Sequence, residues 1–251
     1  MKTETIQAGF SISIDSETTT IRTWRDLAVV LDVLQGHHDR EVLEQLAGHL
    51  PEVIADSNGL YSTLKVLAPE DQLFLVKALG KNLPGIIQKA AALRDILAFL
   101  SDDTVEIEIV KNLGTNGLRT LIQTPLELAE ILEWIYGDSE MTVLELLGSE
   151  SVSSLFTTGE EVSLVLLSLQ ENKAALLDII GWEHIVRLIR NGRDLACMLR
   201  ALPEDISKQL LEYYTGDQLR KLIRNKTDWE YLWNRLETEE ADCILKLLEV
   251  K

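Results

Sequence analysis

Seven apolar triplets with the same internal spacing, apolar-x3-apolar-x2-apolar, recur along this chain at a beat of 33 to 35 residues. They are Leu27/Leu31/Leu34, Leu60/Leu64/Leu67, Leu93/Leu97/Leu100, Leu128/Leu132/Ile135, Val162/Leu166/Leu169, Leu195/Leu199/Leu202 and Trp229/Trp233/Leu236. Spacing of i, i+4, i+7 sets three side chains on one helical face. A fixed period of this length means one supersecondary unit used many times, each unit burying its apolar face on the next.

A second marker keeps the beat. Glycine closes an apolar run at Gly48, Gly80, Gly114, Gly148, Gly181 and Gly216, and a short apolar pair follows each. The pairs are Val53-Ile54, Ile86-Ile87, Leu121-Ile122, Leu155-Phe156, Leu188-Ile189 and Leu222-Ile223. One unit therefore reads as a first helix carrying the triplet, a turn rich in Asp, Glu, Pro and Ser, a second helix stopped by glycine, and a short third helix. Ala68-Pro69-Glu70-Asp71 and Leu202-Pro203-Glu204-Asp205 are such turns, and Thr124-Pro125 with Glu127 and Thr158 with Glu161 read as N-caps of first helices. The position before the second anchor (Val30, Ile96, Ile131, Val165, Met198, Leu232) is usually apolar, which widens the buried face. The expected fold is all-α: a right-handed α-solenoid of about seven units spanning residues 23–251 as a single domain. Residues 1–22 fall outside the pattern. They form a polar leader with alternation at Phe10, Ile12 and Ile14, expected to make a short strand or hairpin. The truncated seventh unit, with tryptophans in place of leucines, fits a capping repeat.

Composition narrows the function classes. The net charge of −17 opposes sequence-independent affinity for nucleic acid or anionic membranes. No stretch approaches the roughly 18 apolar residues of a membrane helix, and the N-terminus lacks a signal-peptide pattern. Cys197 and Cys243 are expected to be reduced thiols in a cytoplasmic protein.

The layout resembles armadillo, HEAT and tetratricopeptide arrays in architecture. The repeat length is nearest to tetratricopeptide units, but their Trp, Leu-Gly, Tyr and Pro consensus is not matched, and three helices per unit are closer to armadillo geometry. This resemblance covers residues 24–251 and carries no functional residues with it. The tail Glu237-Thr238-Glu239-Glu240-Ala241-Asp242 resembles the Glu-rich translocation signal of effectors secreted by type IV systems of intracellular bacteria, which implies delivery into a host cell. The alternative is that this segment is simply the turn before the last helix, as Asp and Glu occupy that turn in other units.

The surface is expected to be uneven. Between Arg119 and Lys173 there is no Lys or Arg, but ten acids: Glu127, Glu130, Glu133, Asp138, Glu140, Glu145, Glu150, Glu160, Glu161 and Glu171. Glu127, Glu130, Glu133, Trp134, Asp138 and Glu140 are therefore candidate protein-binding residues, with Trp134 as an anchor for a basic, partly apolar partner. The alternative for Trp134, which is equivalent to Val33, Val66 and Phe99, is packing on the adjoining unit. Arg187, Arg190 and Arg193 open a stretch of opposite sign, suited to steering a dipolar partner or to self-association. His37, His38, Asp39 and His49 do not have a helical zinc spacing, Gly114-Thr115-Asn116-Gly117 lacks the Lys of a phosphate loop, and no nucleophile elbow occurs. No cofactor, metal or catalytic residue is expected. The expected function is a non-catalytic protein-binding scaffold or regulator, with an enzyme or inhibitor built from scattered residues as the alternative and a nucleic-acid-binding array third.

Overall fold

The structure, a computed structural model, describes residues 9–234 and 238–249. It is predominantly α-helical with a small N-terminal β-hairpin, as the periodicities predict. The chain divides into two units, Met1–Leu121 and Ile122–Lys251.

In the first unit, β1 (Phe10–Ile14) and β2 (Glu17–Ile21) pair antiparallel with Phe10 opposite Ile21. Asp15 and Ser16 make the two-residue turn, both at positive φ, as a primed hairpin turn requires. Ile12 and Ile21 point inward. The Gln45 side-chain amide brackets Ser13, accepting from its N–H at 2.9 Å and donating to its carbonyl at 2.9 Å, so part of the outer edge of β1 is satisfied. The helices that follow are α1 (Trp24–Leu34), α2 (Asp39–Leu46), α3 (Leu50–Val53), α4 (Ser57–Leu64), α5 (Pro69–Leu79), α6 (Leu83–Ile86), α7 (Ala90–Leu97) and α8 (Asp103–Leu121). The first helices α1, α4 and α7 pack in sequence, and so do the second helices α2, α5 and α8.

The second unit holds α9 (Pro125–Leu132), α10 (Gly137–Leu155), α11 (Gly159–Ser168), α12 (Lys173–Ile180), α13 (Trp182–Leu188), α14 (Gly192–Ala201), α15 (Glu204–Glu212), α16 (Gly216–Leu222), α17 (Lys226–Trp233) and α18 (Thr238–Glu249). Its first helices pack α9 on α11, α11 on α14 and α14 on α17, while α10 packs on α12 and α15 on α18. A Cβ on Gly159 would sit 3.1 Å from that of Asp194, and one on Gly192 would sit 2.9 Å from that of Asp228. Glycine at the first helical position thus lets the N-termini of α11, α14 and α17 approach closely.

The first helices start by one device. Thr23, Asp56, Thr124, Thr158, Asn191 and Asn225 each stand at the N-cap in extended conformation and accept the N–H three residues on. In five of these helices the residue three on is an acid that accepts in return from the backbone N–H before the cap: Arg22 to Asp26, Gln123 to Glu127, Thr157 to Glu161, Arg190 to Asp194 and Arg224 to Asp228, at 2.7–3.1 Å. At α7 the cap position is Lys89, which makes no side-chain bond. Two residues before each cap stands Ile21, Ile54, Ile87, Ile122, Phe156, Ile189 or Ile223. The last strand residue, Ile21, thus occupies the phase that the end of a third helix fills elsewhere, and it is fully buried.

The first six triplets are buried apart from Leu34, which is half-buried. The seventh departs from the pattern. Trp233 is exposed, Trp229 is half-buried, and the two rings stack at 5.6 Å while Leu232 takes the inward position. Leu232 holds the inward place that Ile96, Ile131 and Met198 hold seven residues after their caps, while Trp233 turns to solvent and stacks on Trp229 instead of filling the place leucine takes elsewhere. Leu236 and Glu237 lie outside the described residues, and the rest of the Glu-rich segment opens α18. Gly80, Gly114, Gly148 and Gly181 have positive φ between second and third helices, as expected of glycine stops. Gly114 and Gly148 sit inside α8 and α10 with ψ near 180°, a conformation open only to glycine, and there they bend second helix into third. Gly48 and Gly216 do not have positive φ; Gly216 instead opens α16 behind the Thr215 cap. Among the described residues no helix is long and apolar enough to cross a membrane.

Candidate docking face of the second unit

On α1, α4, α7, α9, α11 and α14 the residues four, seven, eight and eleven after the cap are buried or half-buried, which leaves those at two, six, nine and ten outward apart from the buried Ala201. Polar residues are expected there. On α9 and α11 several of these positions are instead large and apolar: Leu126 is 54% exposed, Trp134 44%, Leu164 40% and Leu167 54%. Glu130, Glu133 and Glu160 share the same register, with Glu133 and Glu160 exposed and Glu130 half-buried. On α14 the register carries Arg193, Cys197 and Arg200, and on α17 Tyr231. These faces adjoin. Arg193 donates to Glu160 at 2.6 Å and lies 5.9 Å from the Tyr231 ring, while Cys197 Sγ is 3.9 Å from Tyr231 Oη.

The structure separates the candidate residues by role. Glu127 is a capping carboxylate, accepting from the Gln123 N–H at 2.9 Å and the Thr124 hydroxyl at 3.1 Å. Glu140 is 0% exposed, which corrects its place among surface candidates. It accepts the backbone N–H groups of Gln170 at 2.7 Å and Asn172 at 3.1 Å and the Asn172 side-chain amide at 2.8 Å, tying α10 to the turn before α12. A carboxylate with several donors converging on it is satisfied internally and is not offered to a partner. Asp138 is exposed in the first turn of α10. Arg187 is exposed and pairs with Glu183 at 3.4 Å, Arg190 is exposed on the turn before α14, and Arg193 joins the α11–α14–α17 face. Glu130, Glu133 and Trp134 thus share one register, whereas Glu127, Asp138 and Glu140 serve the turns around it. Trp134 does not vanish into packing; the equivalent Val33 is 75% exposed and Val66 and Phe99 are half-buried.

Sequence reasoning overlooked Leu126, Leu164 and Leu167. The available signal was a leucine at an outward position of a helix whose inward positions were already filled.

Glu161 shows what the caps do electrostatically. Burial raises its pKa, but hydrogen bonds from the Thr157 and Thr158 backbone and hydroxyl groups outweigh this and leave it below the ordinary carboxylate value. Asp39 has the opposite balance. Desolvation, and next the nearby Asp71 charge, raise its pKa against a smaller lowering by the Gly36 backbone N–H and His37.

Other recesses are smaller in chemical content. A cleft of about 660 Å³ between α4 and α7 is lined by Ser57, Asn58, Tyr61, Asp95 and Phe99. A hollow of about 480 Å³ beside α13 holds Trp182, His184, Arg187 and Tyr213, with Trp182 stacked on Tyr213 at 5.5 Å. His38 lies between Asp15 and Glu41, and His49 stacks on Phe10 at 4.1 Å. Among the described residues no group of three or more His, Cys, Asp or Glu is placed to share a metal ion. Comparison with protein-family models, curated proteins and solved structures gave no match.

Proposed function

We propose that residues 24–251 form an α-solenoid of about seven helical repeats and that the protein is a non-catalytic binding scaffold or regulator. Support for the repeat reading comes from the caps, which recur in phase with the triplets, and from the ordered packing of first helix on first helix within each unit. The observation that carries the functional reading is the group of exposed apolar side chains on α9 and α11, Leu126, Trp134, Leu164 and Leu167, set among Glu130, Glu133 and Glu160. Large apolar side chains gathered on one exposed face mark interaction surfaces, and Trp and Leu anchors ringed by polar groups suit protein partners.

A photo-crosslinking amino acid placed at Leu167 tests this reading, with the exposed Glu150 on α10 as control. A protein adduct formed from position 167, absent from position 150 and lost when Leu126 and Leu164 become Ser, is the expected result. Identical adducts from both positions, or none from 167, would refute a binding face on α9 and α11.

A further inference from the structure

We infer that the partner segment docked on the second unit is an amphipathic α-helix, apolar along one stripe and flanked by Lys or Arg, that lies along the α9–α11 pair rather than across the row of first helices. The inference rests on the binding reading above and adds the partner's chemistry and direction. Three observations converge on it.

The first is the layout of the anchors. Leu126 lies in the first turn of α9 and Trp134 in the turn just past its end, so the two bracket a helix about 12 Å long. Leu164 and Leu167 flank them from α11, separated by one turn. Packed helices run about 8–10 Å apart and leave a groove of the width that a third helix fills. The anchors therefore extend along the groove for about two turns, the length over which i, i+3, i+4 and i+7 side chains of a docked helix engage.

The second is charge. The chain has no Lys or Arg between Arg119 and Lys173, so α9, α10 and α11 carry none, while Glu130, Glu133 and Glu160 border the anchors. Flanking cations on a partner would meet the negative field of this stretch, with Glu133 exposed beside Trp134 and Glu160 at its border with Arg193.

The third is where the sign changes. The same outward register on α14 bears Arg193 and Arg200. A cationic segment crossing the first helices would run from Glu133 and Glu160 straight into these guanidiniums. One lying along α9 and α11 stays within the acidic field, and Arg193, held on Glu160 at 2.6 Å, marks its border.

A displayed library of random peptides about 16 residues long, enough for a marginal helix, tests this on the full chain. Counter-selection uses the L164E/L167E variant, its fold checked by circular dichroism and melting temperature, and W134A serves as a second variant. Enriched sequences are expected to show apolar residues at helical period with net positive charge, to bind at least about tenfold more weakly to either variant, and to weaken as salt rises. Enrichment of period-two, proline-rich or acidic sequences that still lose binding to L164E/L167E would overturn the helix inference and leave the binding face standing. Sequences indifferent to both variants, or no enrichment at all, would overturn the inference, and the crosslink from position 167 then decides whether the binding face falls with it.

Discussion

Arg193 on α14 reaches Glu160 on α11 at 2.6 Å, although 33 residues of chain separate them. Each is the second residue after its cap, Asn191 or Thr158, so the contact joins equal positions of successive first helices. Both side chains are about half exposed, and an ion pair in that setting is screened by solvent and salt. Arg193→Ala is expected to leave the melting temperature unchanged at physiological salt while extending the acidic field toward α14. A clear loss of stability in thermal unfolding would mean that the pair holds the helices together.

The caps are expected to matter more. Thr158→Ala should cost about 0.5–2 kcal/mol in denaturant unfolding, and Asn191→Ala a similar amount. Glu127→Lys should be destabilising for the same reason, since it removes the acceptor for the Gln123 N–H and sets a cation at a helix N-terminus. Glu133→Lys, on the outward register, should leave stability intact, so Glu133 and not Glu127 is the informative charge reversal for binding.

Glu161 links the cap to pH. Its pKa is lower in the folded chain than in the unfolded one, so the folded state binds its proton less tightly. Its contribution is complete above the ordinary carboxylate pKa and is lost as pH falls through the lower, folded value. Glu161→Gln should flatten that part of the acid limb of the stability profile. An unaltered limb would contradict the assignment.

Asp39 runs the other way. Its raised pKa means that the folded state holds the proton more tightly, so stability declines as pH rises from the ordinary carboxylate range through the raised value and is level above it. The same position, sixteen residues after the cap, carries Gln72 and Ser207, whose side chains donate to the carbonyls of Leu64 and Leu199 at the end of the preceding first helix. Asn at position 39 can donate in this way at any pH. Asp39→Asn is expected to stabilise by about 1–2 kcal/mol at neutral pH, with the gain vanishing near about pH 3.

Glu140 should be the most sensitive acid of its stretch. Glu140→Ala leaves the N–H groups of Gln170 and Asn172 without their acceptor and should cost roughly 3 kcal/mol, with faster amide exchange at those residues. Unchanged exchange there would show that the turn before α12 stands without the carboxylate.

What the sequence disclosed was what recurs. Leu128 and Leu132 were readable as core because six other units repeat the spacing, and Gly114 as a stop because it falls on the beat. Only the caps of Thr124 and Thr158 were recognised, because they alone have Glu three residues on, whereas Thr23, Asn191 and Asn225 are followed there by Asp and Asp56 by Gly59. Glu140 was misplaced because burial depends on where the Gln170 turn folds back, which no local pattern encodes. Trp233 was misplaced because spacing alone set it inward, whereas its indole lies exposed against Trp229. Leu126, Leu164 and Leu167 sat among so many inward leucines that only a register fixed by the caps separates the outward ones.

The phase shared by Ile21 with Ile54, Ile87 and the residues that follow has a consequence for how such a chain changes length. A strand end and a helix end deliver an isoleucine to the same socket two residues before a cap, so the socket accepts either predecessor. A gene that lost the codons for residues 23–55 would join Arg22 to Asp56 and present Ile21 where Ile54 had stood. The splice would fall between two equivalent positions, and the chain would lose α1, α2 and α3 together instead of being cut inside one of them.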